Sequence, residues 1–488
     1  MRLGTIGRLW GCDVPPEAGE IAVTDLRYDS RAVVPGCLFF CVVGAHTDGH
    51  DRAVEAVQAG AAALVCERRV ELPVPMEVPQ LIVENSRRAM GALAGPFYGN
   101  PSHRVKVAGV TGTNGKTTTC FMLESIFRAA GDPAGLIGTV ECRVAGDRRP
   151  ATRTTPEAVD IQRLLAEMVD RDVNRCALEA TSIGIESGRT EGTKFEAAVF
   201  TNLTHDHLDH HKNMEAYFRA KARLFREFDV RTAVINADDK YGRRLLRSVE
   251  GRKVSFGVNN EADIRAAEVV SDADGSTFVV RGDGVDQRVR VRLPGAFNVS
   301  NALAATVAAL CMGIPADAAA AGIEGLEAVP GRFEPVKLGQ DFLVLVDYAH
   351  TPDSLVSVLR AARDLADAQV ITVFGCGGDR DKAKRPLMAQ AVAEAADVAI
   401  VTSDNPRGED PEAILRDIEQ GLVNSPPRGG YVIIEDRAEA IRAAVSRART
   451  GDVVVVAGKG HETYQEVDGR VLPFDDRDVA AQMLRELL

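Results

Sequence analysis

Paired cysteines are missing from this chain. Its nine cysteines are scattered without one CxxC, and the closest two, Cys37 and Cys41, sit in the apolar run CLFFC, where they read as small core residues. That usage fits a reduced, cytoplasmic interior. Apolar runs fall well short of the roughly 18 residues of a membrane span. No charged-then-apolar leader opens the sequence, so neither a span nor an export signal is expected. Positive charge is in deficit: 58 Lys and Arg stand against 70 Asp and Glu, a formal net charge of −12. That balance argues against a nucleic-acid binder driven by bulk electrostatics, while local arginines and helix ends leave small anionic substrates open.

What is present is a globular balance, 45% hydrophobic and 26% charged, over 488 residues. That length suggests about three domains. The chain is organised around VAGVTGTNGKTTT, Val107 to Thr119. Val105, Val107 and Val110 alternate like a strand. Gly112, Thr113, Asn114 and Gly115 follow as a turn, and a helix starting near Lys116 carries Phe121, Met122 and Ile126. Strand, glycine turn and helix N-terminus aim backbone N–H groups at one spot, which suits a phosphate. Lys116 would reach the outer phosphates and the Thr117 hydroxyl would hold Mg²⁺. The full GxxxxGK[ST] pattern is incomplete, because its first glycine falls at Val110. A strand-to-helix turn with a chance Gly-Lys-Thr is the bland alternative. An ATP-type site is the working expectation.

The chain divides into an α/β architecture of three domains. Residues 1–102 read as a small α/β unit, with strands in LFFCVVG, AALVCE and QLIVE, a helix in DRAVEAVQAGA, and polar loops YDSRAVVPG and AHTDGHD. Residues 103–330 read as a central phosphate-loop domain built on a parallel sheet. Strands are expected to end at Glu179 and at His205 to His207, facing the nucleotide at the carboxyl edge. A β-rich insertion is expected from about Gly251 to Leu293, followed by a helix with Asn298 and Asn301 near its start, where capping is the plain reading. Residues 331–488 read as a Rossmann-like domain. There FLVLV, VITVF, VAIVT and VVVVAG each run into a polar motif, DYAHTPD, GCGGDRD, SDNPRGE and KGHE, which a parallel sheet would gather on one edge.

Four of the nine histidines fall in THDHLDHHKNMEAYFRAKARLF. The spacing His205, His207, Asp209, His210 resembles a dinuclear zinc site of the metallo-β-lactamase type, but no histidine occurs between His211 and His350 to complete one. The competing reading places His207 at Mg²⁺ beside a triphosphate. Met214, Tyr217, Lys221, Leu224 and Phe228 recur at helical spacing, so Lys221 lies on an apolar stripe. A buried lysine snorkels or finds an acid; alternatively, desolvation leaves a neutral amine able to add CO₂.

GTNGKTT, EATS, NLTHDHLDHH, AYFRAKARLF, FNVSNALAA, PGRFE, DYAHTPDSL, GCGGDRDKAKRP, SDNPRGE and AGKGHE occur in that order. Together they resemble the Mur ligases of peptidoglycan synthesis, and among these the branch that adds diaminopimelate. YDSRAVVPG and VVGAHTDG extend the resemblance to that family's UDP-binding first domain. The resemblance implies ATP as co-substrate, Mg²⁺ as cofactor, and UDP-N-acetylmuramoyl-L-alanyl-D-glutamate and meso-diaminopimelate as the molecules joined. Neither a nucleic-acid nor a membrane partner is expected, and a monomer is expected. Gly112 to Thr118 would hold the ATP phosphates, with Thr117, Glu179 and His207 around Mg²⁺ and Lys221 carbamoylated as a further ligand. Asn298 and Asn301 would lie near adenine, and Arg332 and Asp347 would close over the nucleotide. Ser30 and Ala45, His46 and Thr47 would contact the uridine nucleotide; Thr154, Thr155, Thr181 and Arg189 would hold the acyl substrate. The family often reads SSHGL where this chain has TSIGI, so Thr181 replaces a serine.

The amino-acid pocket would comprise Arg380, Asp404, Asn405, Pro406, Arg407, Gly458 and Glu462. Diaminopimelate exceeds lysine by a second amino-acid head bearing a carboxylate. Arg407 suits that carboxylate through a two-pronged pair, and Asp404 and Glu462 suit its ammonium. A surface ion pair is the bland reading of Arg407. Three alternatives stand beside the main one: a lysine-adding ligase of the same family, a folylpolyglutamate-synthase-like ligase lacking the first domain, and a nucleotide-dependent binding module without transfer chemistry.

Overall fold

Strands rich in Val, Ile, Leu and Ala, buried on both faces, form largely parallel sheets with helices packed on either side. This chain builds three of them. The computed structural model describes residues 1–44, 47–272 and 274–487, and nothing is described of the Asp209 side chain. Ala45 and His46, expected at the uridine nucleotide, lie outside the described residues.

The first sheet is parallel and runs in chain order: Leu26–Arg27, Leu38–Phe40, Ala63–Cys66 and Gln80–Ile82. One of its faces shares a core with Ala158 and Val159, which belong to a helix of the next sheet, Ala158–Asp170. Tyr28 also donates to Asp160 Oδ2 at 2.6 Å, and Arg163 to the Leu26 carbonyl at 2.8 Å. The first unit is thus packed directly on the second.

Eleven strands make the second sheet. Its parallel part, read across, is Ile264–Asp272, Lys253–Gly257, Ala233–Asn236, Phe195–Phe200, Lys106–Thr111, Arg175–Glu179 and Ala134–Ile137. The chain reverses its direction of travel around Lys106–Thr111, the switch point where such sheets open a ligand crevice. The expected hairpins are there, and Gly275–Gly282 and Val285–Val291 continue the sheet's edge antiparallel. The strand expected to run to His205–His207 stops at Phe200.

In the third sheet the parallel strands lie in the order Leu343–Asp347, Val453–Ala457, Val370–Phe374, Val398–Val401 and Tyr431–Ile433. The helices Pro352–Leu365, Lys384–Ala395 and Pro411–Glu419 cover one face, and Arg437–Arg447 and Asp476–Leu487 the other. Right-handed crossovers require this split, since the last strand returns to the middle of the sheet. All four polar motifs consequently emerge from one edge. Among the described residues, no helix is long and apolar enough to cross a membrane.

Candidate active site

Parallel register sets the phosphate loop between two neighbours: Val110 lies opposite Glu179, and Thr111 opposite Phe200. The helix Lys116–Ala129 begins directly after Gly115, whose φ of +85° suits glycine. A Cβ there would also run into Asn301 Oδ1, so this loop and the Asn301 helix approach as closely as a bare backbone allows. The N–H groups of Thr113 and Asn114 are engaged by the carbonyl and the side chain of Asn202, each at 2.9 Å. That narrows the expected anion cradle to the first turn of the helix, Lys116 to Thr118, whose N–H groups have no intrahelical acceptor. Lys116 Nζ bridges the carbonyls of Gly112 at 3.0 Å and Thr113 at 2.8 Å. Burial holds its pKa below the usual lysine range, against the pull of Glu179 and Asp206.

Glu179 is fully buried. Its carboxylate accepts from the Thr117 hydroxyl at 3.0 Å, the Thr139 N–H at 2.8 Å and the Thr139 hydroxyl at 2.9 Å. All three donors are neutral, which leaves the buried charge uncompensated by any cation within salt-bridge range among the described residues. A carboxylate and a hydroxyl side by side are the hard oxygen donors that Mg²⁺ takes, so these residues fit such an ion. His207, in a left-handed conformation at φ +52°, stands instead beside Asp206, with 3.4 Å between Nε2 and Oδ2. Burial lowers its pKa, Asp206 opposes this, and Lys116, Lys221 and His350 add to it.

The helix Met214–Arg226 starts at Asn213, which caps the Ala216 N–H at 2.9 Å. It ends before Phe228, which packs edge-on against Phe195 instead of extending the stripe. Lys221 is buried, stands over the Tyr217 ring and donates to the Gly112 carbonyl at 2.7 Å. No acid pairs with it among the described residues, contrary to the bland expectation. Burial first and Lys116 second push its pKa well below the ordinary value.

The third sheet reaches this crevice through Arg332. Its guanidinium donates to Thr117 Oγ1 at 3.2 Å and lies 4.6 Å from the Tyr348 ring centre. Asp347 anchors the segment behind it, accepting from the Phe333 and Ala349 N–H groups, each at 2.7 Å. Tyr348 in turn stands against His461, next to Glu462. Asn298 and Asn301 cap nothing; Asn301 donates to Asn298 Oδ1 at 3.0 Å and Asn298 to the Pro294 carbonyl at 2.8 Å, a buried chain ending at Gly115.

At the far end of Tyr348, Asn405 donates to Glu462 at 2.9 Å and accepts from Lys459 at 2.7 Å. Lys459 is fully buried and also stands 3.4 Å from Asp404. A Cβ at Gly458 would lie 3.5 Å from Asp404 Oδ2. Burial, then Asp404, raises the Glu462 pKa. Arg407 donates to the Gly378 carbonyl at 2.7 Å and pairs with Glu466 at 3.3 Å, while Arg380 sits exposed on the neighbouring loop. Across the crevice, Thr154 accepts from Thr139 at 3.1 Å, and Thr155 and Thr181 share a 3.0 Å hydrogen bond. Thr181 caps the helix Ser182–Glu186 through the Gly184 N–H at 3.1 Å. Ser30 starts a short 3₁₀ turn, and the Thr47 carbonyl accepts from the Gly44 N–H at 2.8 Å, both in the first unit.

Models of the Mur ligase family match three stretches: its catalytic domain over residues 22–98, its middle domain over 110–309, and its glutamate ligase domain over 331–460. The chain belongs to the Mur ligase family. It is 48% identical over 475 residues, 96% of either chain, to the UDP-N-acetylmuramoyl-L-alanyl-D-glutamate--2,6-diaminopimelate ligase of Geobacillus kaustophilus. The protein of the same name from Geobacillus thermodenitrificans is 46% identical over the same share. A solved structure of a UDP-N-acetylmuramoyl-L-alanyl-D-glutamate--2,6-diaminopimelate ligase superposes with a TM-score of 0.69 at 33% identity, covering 100% of this chain and 99% of the other.

Within this Mur ligase, several contributors escaped sequence reasoning. Thr139 and Asn202 brace Glu179 and the phosphate loop. Lys459 sits inside the quoted KGHE motif, but besides the nearby Tyr464 carbonyl it reaches Asn405 and Asp404, over 50 positions back. Three arginines, Arg87, Arg153 and Arg189, converge on the buried Glu157, the latter two at 2.6 and 3.2 Å. Three cations on one carboxylate leave a positive excess beside Thr155, suited to an anionic substrate. Of these, only Arg189 was expected, through the family resemblance.

Proposed function

We propose that this chain is an ATP-dependent ligase joining meso-diaminopimelate to UDP-N-acetylmuramoyl-L-alanyl-D-glutamate in peptidoglycan synthesis. The observation that carries the reading is Arg332, in contact with Thr117 of the phosphate loop and with Tyr348 of the amino-acid edge. Activation and acceptor sites are therefore neighbours. The names of relatives at 48% and 46% identity across nearly the whole chain agree with it.

The substrate carboxylate attacks the γ-phosphorus of ATP, giving an acyl phosphate and ADP. The neutral amine of diaminopimelate then attacks that carbonyl, and the tetrahedral intermediate expels phosphate. No protein nucleophile takes part; the residues position reactants and offset charge. Lys116 and the first helical turn hold the triphosphate. Thr117 and Glu179, with His207 and a carbamoylated Lys221 nearby, would hold Mg²⁺, which when bound neutralises charge between carboxylate and phosphates. Ser30 and Thr47 serve the uridine nucleotide, and the arginines around Glu157 the acyl peptide. Asp404, Asn405 and Glu462 take the distal ammonium of diaminopimelate, and Arg407 its carboxylate.

The deciding experiment follows phosphate release with UDP-muramoyl-alanyl-glutamate and ATP, comparing diaminopimelate with lysine as acceptor. Release should depend on diaminopimelate. A preference for lysine would favour the lysine-adding branch, and acceptor-independent release would favour a binding module. Arg407→Ala should raise the KM for diaminopimelate at least about tenfold, the loss of one charge-assisted pair, and leave that for ATP near wild type. Equal effects on both would remove Arg407 from the pocket.

A further inference from the structure

Two histidines and a glutamate lie outside the machinery described above. His210 Nε2 stands 2.8 Å from Glu186 Oε2, and His211 Nδ1 stands 3.6 Å from the same oxygen. One ligand atom from each residue falls within 4.8 Å of the others. Donors bound at about 2.0–2.1 Å around a tetrahedral zinc ion are roughly 3.3 Å apart, between the two measured separations. The other nitrogen of His211, Nε2, is 2.9 Å from Ser182 Oγ. In the tautomer that donates to Ser182, Nδ1 presents its lone pair toward Glu186, the outer hydrogen bond that metal-binding histidines use to fix their rings. Stacking on Tyr217, at 4.9 Å and 24° between planes, holds the ring from the other side. Glu186 and His210 are close to half exposed, which leaves an entry path and a water position. A surface ion pair accounts for His210 on Glu186, but not for a second, immobilised imidazole on the same carboxylate.

The geometry points to a Zn²⁺ site formed by Glu186, His210 and His211, separate from the nucleotide's dication. The ion fastens Leu208–His211 to the helix Ser182–Glu186. These two segments follow the strands flanking the phosphate loop, so the metal would staple both walls of the crevice. Imidazole with one carboxylate is a donor set that favours zinc over magnesium. The inference does not depend on the ligase reading.

Tag-free full-length protein, without nucleotide, is titrated with Zn²⁺ against a chromogenic chelator, and Co²⁺ serves as a spectroscopic substitute. One site per chain is expected, with visible d–d bands of four-coordinate Co²⁺. His210→Ala and Glu186→Gln, both at the surface, should each weaken binding at least tenfold and abolish those bands. Ser182→Ala should weaken it by about tenfold through the outer hydrogen bond. His207→Ala should leave the titration unchanged. Wild-type affinity in both His210→Ala and Glu186→Gln would overturn the site, as would loss of binding in His207→Ala with retention in the other two.

Discussion

Lys116→Ala is expected to abolish turnover, with ADP formation down by about 10³-fold, the upper range for removing one preorganised charge-stabilising donor. The reaction brings a carboxylate against a triphosphate, and their repulsion must be offset before bond formation begins. Lys116 is held beside the loop by hydrogen bonds to the Gly112 and Thr113 carbonyls, which leaves the third donor of its ammonium for a phosphate. Burial weakens its screening by water, which makes the same charge worth more than at the surface. Lys116→Arg should fail to restore the rate, because a planar guanidinium cannot take a compact ammonium's place between carbonyls one residue apart. Binding of the UDP-linked substrate, measured without ATP, should persist in both variants. Near-wild-type ADP formation by Lys116→Ala would remove the phosphate-loop assignment.

Much of the frame behind that prediction is legible from residue order. Val107 and Val110, a glycine turn and Phe121, Met122 and Ile126 at helical spacing are local signals, and all five apolar side chains are buried. The strands of the third sheet are equally plain, because burial on both faces demands unbroken runs such as VVVVA. Tyr431–Ile433 escapes because its apolar run, YVII, is short, and the strand is a three-residue, partly exposed edge. Leu26–Arg27 is shorter still.

The site was less legible, since its contacts are non-local. His205, His207, Asp209 and His210 looked like ligands by spacing alone. The observed cluster instead joins adjacent His210 and His211 to Glu186, 24 positions from His210. Asn298 and Asn301 suggested capping because they open a helix. Their side chains turn into a buried chain that only the approach of Gly115 explains. No pattern in the chain announces Thr139 as a partner of Glu179, 40 residues on.

Lys221→Ala should lose at least about 10²-fold in activity, comparable to removing one electrostatic stabiliser, and excess formate or acetate should partly restore it. The argument begins with one carbonyl. Gly112 O accepts from Lys221 at 2.7 Å and from Lys116 at 3.0 Å, so two amines crowd the same oxygen. Both cannot carry full charge there without mutual repulsion, and only Asp206 pulls Lys221 back toward protonation. Glu179 and Asp206 both pull Lys116 toward protonation, whereas Lys221 has Asp206 alone, so Lys221 is the one to stay neutral, and a neutral amine adds CO₂ and releases a proton. The resulting carbamate replaces repulsion toward Lys116 by attraction and supplies a carboxylate at the end of a long arm. Alanine removes the arm but leaves its space, which a small carboxylate can enter while chloride cannot substitute for its two oxygens. Restoration should rise with carboxylate concentration, and should be absent in Lys116→Ala, where the missing group is a cation. Unaffected activity in Lys221→Ala would instead make this lysine a structural prop for the Gly112 turn.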